Sequence, residues 1–359
     1  SGSWNGSLPK FSESVSIANS SLKPEITTGL EFGADLRFFR GKVGLDATYY
    51  EQTTQNQILG VEISKASGYD RRILNAGEIT NKGIELTLSG TPVKLDNGFS
   101  WNLSLNYARN RNKVVSLAEG LTTYILASQR GMTSEARVGQ PYGTLYGVAF
   151  ERSPDGQIVY GDNGLPLRQA TQQIIGNIQP KFTGGMLNTF NFKGFTLTAL
   201  LDVRVGGDVF DEGTGTGRWT GQYAETALGR EEGVIGKGVR KITAADGSVS
   251  YVPNDIIVTA NQMYAYNNPR NYHEAAIFDA SYVKLRELSL GYNIPVSLVK
   301  KLRLQSAKLS LVGRNVWMIF KNTPHVDPEF DSKGGNAQGF GYGELPSSRS
   351  LGMNLSLSF

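Results

Sequence analysis

The feature that most constrains this chain is a strict two-residue alternation of apolar and polar side chains, repeated in run after run. In Thr28–Phe39, the residues Leu30, Phe32, Ala34, Leu36 and Phe38 fall on one face and Glu31, Gly33, Asp35 and Arg37 on the other. After an Arg40-Gly41 turn the pattern resumes with Val43, Leu45, Ala47 and Tyr49. Successive strand side chains point to opposite faces, so this period specifies β-strands. Phe99, Trp101, Leu103, Leu105 and Tyr107 form the clearest face, set to pair with Ile84, Leu86 and Leu88 across the turn Thr91–Gly98. A further hairpin joins Phe182–Phe192 to Phe195–Val205 through Lys193-Gly194, and another joins Val283–Tyr292 to Ala307–Trp317. The step from Leu285 to Leu288 breaks the alternation, which predicts a β-bulge near Arg286 and Glu287. Leu351, Met353, Leu355, Leu357 and Phe359 alternate to the end.

A soluble sandwich shares this period, with its apolar face turned to a core. Three features favour a membrane barrel instead. Short turns alternate with long connections over 54–80, 110–181, 206–278 and 321–347, the asymmetry of outer-membrane barrels. A loop of about seventy residues suits a compact sandwich poorly. Aromatic residues bracket Leu103 and Leu105, and Phe182, Phe190 and Phe192 mark another strand similarly; such a strand climbs roughly 20 Å, close to the apolar band between two aromatic girdles. The closing strand ends on Phe359, which resembles the terminal signal of bacterial outer-membrane barrels. No run approaches the roughly 18 apolar residues of a membrane helix. Its longest candidate, Phe195–Val205, is broken by Thr196, Thr198, Asp202 and Arg204.

The expected fold is therefore all-β, an antiparallel transmembrane β-barrel. Nine strands are expected near 25–39, 42–55, 80–90, 99–111, 181–192, 195–206, 279–292, 306–317 and 346–359. Bacterial single-chain barrels have even strand numbers, so nine strands are expected to be the C-terminal part of a larger wall. Residues 1–24 are then an extracellular loop and 25–359 the strands and loops, with no plug domain in this chain. The polar opening stretch lacks the layout of a signal peptide. With 36 basic and 32 acidic residues and no basic run, nothing points to nucleic acid.

Several segments resemble the SusC/RagA-type TonB-linked (TonB-dependent) outer-membrane transporters. They are Leu22-Lys23-Pro24-Glu25 with Glu31-Phe32-Gly33, and the run from Asn75-Ala76-Gly77-Glu78 to Ile84-Glu85-Leu86. Also similar are Phe278-Asp279-Ala280-Ser281-Tyr282-Val283-Lys284-Leu285-Arg286-Glu287-Leu288, Gly313-Arg314-Asn315 with His325-Val326-Asp327-Pro328-Glu329, and Pro346 with Arg349-Ser350. The resemblance implies a barrel of about 22 strands closed by an N-terminal plug. It also implies a SusD-like surface lipoprotein as lid, energy from the TonB complex through the N-terminal region, and import of a glycan or oligopeptide. The implied location is the outer membrane of a Gram-negative, Bacteroidetes-like cell. A passive porin or surface-binding barrel is the main rival, and a barrel hydrolase a third.

Nothing in the sequence assembles a catalytic centre, a metal site or a cofactor site. Cysteine is absent, which removes thiolate catalysis and cysteine–zinc sites. His273 and His325 read as polar loop residues, and Asp155-Gly156 with Asp162-Asn163-Gly164 as turns flanking a short surface strand. The GTGTG run Gly213–Gly217 lacks the Lys-Ser/Thr ending of a phosphate loop and reads as a flexible loop. Trp219, Tyr223, Tyr264, Tyr266 and Tyr272, set among Asn, Gln and Arg, are the candidate cargo-binding residues, since exposed aromatics suit sugar rings and peptide side chains. Packing inside the loop or against a lid is the competing reading. Asp35, Arg37, Asp46 and Glu85 read as lumenal wall solvation and plug contacts. Two open sheet edges and a bare apolar face invite aggregation. Residues 1–359 expressed alone should therefore aggregate without detergent; a sharp monomer peak in size-exclusion chromatography with light scattering would contradict this.

Overall fold

A computed structural model describes residues 2–4, 8–10, 16–75, 77–266, 271–330 and 335–359. Nine strands form one sheet in chain order: β1 (Ile26–Phe38), β2 (Val43–Gln55), β3 (Glu78–Lys94), β4 (Ser100–Ser116), β5 (Phe182–Phe192), β6 (Phe195–Val205), β7 (Tyr282–Asn293), β8 (Ser306–Lys321) and β9 (Ser350–Ser358). Every neighbouring pair is antiparallel, and β1–β2, β2–β3, β4–β5 and β5–β6 run without a register shift. The sheet is a section of an all-β, antiparallel barrel wall.

Three of the four turns at one rim are short, and the fourth, 294–305 between β7 and β8, is a twelve-residue connection with a helical turn at Val296–Val299. Lys193-Gly194 adopts φ of 45° and 87°, the type I′ geometry whose twist matches the flanking strands, and the positive φ is why glycine follows the lysine. At the other rim the chain makes long excursions over 56–77, 117–181, 206–281 and 322–349. Residues 16–25 lie at this same rim. Lys23 N–H donates to Asn75 Oδ1 at 2.7 Å, Asn75 Nδ2 donates back to Lys23 O at 2.7 Å, and Ile58 N–H donates to Glu25 Oε1 at 2.7 Å.

Register carries the apolar face across the sheet. Direct partners lie on the same side, and Leu36, Leu45, Leu88, Leu105, Met186, Leu201, Leu285 and Trp317 pair in succession from β1 to β8. A parallel row on the opposite side runs Asp35, Asp46, Thr87, Asn106, Gly185, Asp202 and Lys284. The expected bulge is present. Glu287 pairs with Leu200 and Leu285 with Leu201, so Arg286 is the extra residue. It lets Leu285 and Leu288 share the apolar side while Arg286 and Glu287 both turn to the polar one.

Among the described residues no core covers the apolar rows. Phe32 is 63% exposed, Leu311 57% and Met353 71%. At about 25 cal/mol per Å2, leaving such a face in water is untenable for a stable protein. Aromatic rings band it at both ends. Near the short turns Trp101 stacks on Phe190 at 5.9 Å and Phe195 lies 4.5 Å from Tyr292; at the other end Tyr107 lies 5.3 Å from Phe182. The spacing and the exposure together fit a hydrocarbon slab.

Neighbouring positions on β3 test the assignment. Leu88→Arg in the full-length barrel should cost about 2–4 kcal/mol at mid-bilayer depth, whereas Thr87→Arg, facing Asp46 on the polar side, should cost little. Urea unfolding in lipid vesicles reads both; equal losses would place the faces wrongly.

Candidate functional site

The functional architecture is built where the long loops meet the polar side of the sheet. Lys284 on β7 is nearly inaccessible. Its Nζ donates to Glu329 Oε2 at 2.5 Å and to Ser347 Oγ at 2.8 Å, with Asp327 at 3.8 Å. Arg286, freed by the bulge, forks between Asp202 on β6 and Glu329, and also reaches Asn315 Oδ1 at 3.2 Å. Tyr282 donates to Asp202 at 3.2 Å. Asp327 accepts from both Ser347 N–H, at 3.1 Å, and Ser347 Oγ, at 2.5 Å. Residues 327–329 and 347 are thereby clamped onto the lumenal face of β6–β8.

Burial works to raise the Glu329 carboxyl, but hydrogen bonds from Arg286 and Lys284 outweigh it and hold it below its ordinary value. Asp327 is held low likewise, its burial offset by Ser347 and by its own bond from Glu329 N–H. Depressed carboxylates stabilise the clamp above their ordinary titration range, and that contribution disappears as pH falls through the depressed values.

Beyond the clamp, three loops share one core. Met132, Leu145 and Ile178 pack with Phe210, Ala276 and Phe340. Residues Asp208–Asp211 pair antiparallel with Ile277–Asp279 and parallel with Phe340–Gly341. His273, buried, joins two loops: its Nδ1 accepts from Val148 N–H at 2.9 Å, which puts the proton on Nε2, 3.0 Å from Arg130 O. Burial lowers its pKa, so this neutral tautomer is the working form. Buried Glu212 pairs with Arg130 at 2.6 Å.

The GTGTG run, expected as a flexible loop, is helical. It lies in α1 (Glu212–Trp219), whose N-cap Asp211 accepts from Gly213 and Thr214 N–H. The glycines serve close approach, since a Cβ at Gly217 would sit 2.4 Å from the Tyr223 ring. The short run at Val159–Tyr160 is also not superficial: it is buried and pairs in parallel with Val239 and Arg240. Among the described residues no cluster has metal-ligand composition.

The candidate aromatics separate. Trp219, 42% exposed, and Tyr264 line a cavity of about 410 Å3 between α1 and α2 (Ala260–Tyr266). Tyr264 Oη donates to Glu225 O at 2.8 Å. Tyr223 is half-buried, its ring stacked on His325 at 3.5 Å, and His325 Nε2 meets Glu225 Oε1 at 2.7 Å. Tyr272 is fully buried, stacked on Phe150 at 4.6 Å and donating to Pro166 O at 2.5 Å. Its ring therefore packs the loop and offers no surface to cargo. The Tyr266 side chain lies outside the described residues. Of the wall charges, Arg37 pairs with Asp35 at 3.0 Å and Asp46 at 3.7 Å. Arg218 and Arg230, which sequence reading passed over, line the same cavity as Trp219; only the fold of the loop brings residues 218, 230 and 261 together.

A family model for the TonB dependent receptor-like β-barrel matches residues 4–316. The chain belongs to the TonB-dependent receptor β-barrel family. Similar family members include TonB-dependent receptor P3 of Formosa agariphila, 26% identical over 96% of this chain and 35% of the relative. TonB-dependent receptor SusC of Bacteroides thetaiotaomicron is 26% identical over 44% of this chain and 16% of its own length. This stretch of TonB-dependent receptor thus spans about a third of the P3 relative. In fold it is similar to the RagAB peptide transporter, with a TM-score of 0.68 over 93% of this chain and 35% of the other, at 20% identity. The family-like strings noted above converge in space. Tyr282, Lys284 and Arg286 from one, Asn315, Asp327 and Glu329 from a second, and Ser347 beside a third form the clamp.

Removing one partner of the clamp tests it. Glu329→Gln in the full-length receptor should loosen segment 322–330 by about 3 kcal/mol, read as lost hydrogen-exchange protection. In the unsubstituted protein the protection, corrected for intrinsic exchange, should hold at pH 7 and fall once pH drops below the ordinary carboxylate range. Unchanged protection in either experiment would contradict the clamp.

Proposed function

We propose that this chain supplies part of the wall and the outer loops of an active outer-membrane importer of nutrients, a glycan or an oligopeptide. The observation that carries the reading is the loop body: three long loops share one core and are held to the lumenal wall by Lys284, Arg286 and Glu329. Such a body is what an importer needs at the mouth of a plugged barrel, because it can present shaped surface to a large cargo and still leave the wall closed to lipid. Family membership and the RagAB-like fold support the same reading. In it, the N-terminal plug and the remaining strands complete the barrel, the TonB complex supplies energy, and a SusD-like surface lipoprotein covers the loops. The barrel sits in the outer membrane of a Bacteroidetes-like cell and performs no covalent chemistry on its cargo.

Affinity purification of the full-length protein from its own membranes tests this. A stoichiometric surface lipoprotein should co-purify, and cells should lose growth on the cargo when the proton-motive force is collapsed or the TonB complex is deleted. A solitary barrel that conducts ions freely in planar bilayers would instead identify a passive porin.

A further inference from the structure

We propose that the cavity between α1 and α2 is a subsite for an anionic sugar residue, one carrying a carboxylate or a sulfate ester. The inference rests on the import reading and narrows its cargo. The cavity, about 410 Å3, falls within the range of small-molecule sites. Its walls include Trp219, Arg218, Arg230, Thr259 and Asn261.

The two arginines differ in how their charge is met. Arg218 Nε lies 3.2 Å from Glu225 Oε1 and is neutralised there. Arg230 is held by neutral groups: Nε donates to Thr226 O at 2.9 Å, and Nη2 to Gly221 O at 2.9 Å and Thr226 Oγ1 at 3.3 Å. Among the described residues no carboxylate pairs with it and nothing accepts from Nη1. The guanidinium is thus oriented in advance by the turn after α1, with charge and one edge still available. A carboxylate or sulfate is the acceptor that matches such a fork in charge and shape.

The remaining lining favours a sugar over a peptide. Acidic peptides are also recognised by arginines, so an oligo-aspartate is the ligand that the test must separate from a sugar. The cavity offers the Asn261 amide, which engages no protein group among the described residues and both donates and accepts, beside the partly exposed Trp219. That combination suits ring hydroxyls.

The test uses the full-length receptor, plug included, in detergent, with calorimetric titration of four probes: tri-galacturonate, its methyl ester, a sulfated chondroitin tetrasaccharide and hexa-aspartate. Tri-galacturonate or the sulfated probe should bind, with affinity falling as salt rises, and the methyl ester should not. Whichever of the two binds identifies the anion. Arg230→Gln should weaken that probe about tenfold or more. Asn261→Ala, which removes no contact within the loop, should weaken it less and guards against a folding artefact. Equal binding of acid and ester, unchanged affinity in both variants, binding of hexa-aspartate alone, or failure of both anionic sugars would overturn the proposal. If lipoprotein co-purification and energy-dependent uptake persist in that case, only the subsite falls; if they fail too, so does the import reading.

Discussion

Everything in this structure depends on backbone pairing where there is no water. In hydrocarbon an unpaired N–H or C=O costs several kcal/mol, so a spanning strand must be bonded on both sides. The seven inner strands meet that demand through long ladders such as the shift-free one from Val43↔Gly90 to Gln55↔Glu78, and among the described residues the two outer strands, β1 and β9, are bonded on one side only. Once pairing is continuous, register decides which side chains meet lipid, and a one-residue slip would turn the whole apolar row inward. The bulge at Arg286 is a disruption that keeps this phase: it is placed beside Asp202 and Glu329, which occupy the guanidinium it turns inward.

That division of labour explains where the protein keeps its conventional core. The wall has lipid as solvent on one side and a polar lumen on the other, so it needs no interior of its own. The loops do, and they build one from segments far apart in the chain, with Met132, Phe210 and Phe340 in contact. Polar contacts then set how the loops seat. His273 and Glu212 tie loop to loop, while Lys284 and Arg286 tie loop to wall. Removing one member of such a buried set leaves its partner's charge unmet, which is why the arrangement is specific as well as stable.

The strands were legible in the sequence because lipid imposes the simplest pattern there is. Leu30 to Phe38 and Phe99 to Tyr107 announce themselves, and even the bulge shows as the misplaced step from Leu285 to Leu288. The ends were less legible. β4 continues to Ser116 and β3 to Lys94, beyond the apolar band, where both faces carry polar residues and alternation no longer marks a strand. The loops were legible only as strings. Nothing local in Gly213–Gly217 signals a helix, because what stabilises it is the Asp211 cap and close packing against Tyr223. Tyr272 looked like an exposed aromatic among polar neighbours, yet a distant Phe150 buries it. The family-like motifs were visible one by one, and their meeting at a single clamp was not.

The central claim is that the odd-numbered face of β4 meets lipid and the even-numbered face meets the lumen. The most direct measurement is a nitroxide scan of residues 101–108 in the full-length protein in bilayers, recording collisions with oxygen and with a water-soluble nickel complex. Oxygen accessibility should peak at Trp101, Leu103, Leu105 and Tyr107, with nickel accessibility peaking at the residues between them. A flat profile, or one with the opposite phase, would contradict the assignment of this sheet as a membrane wall.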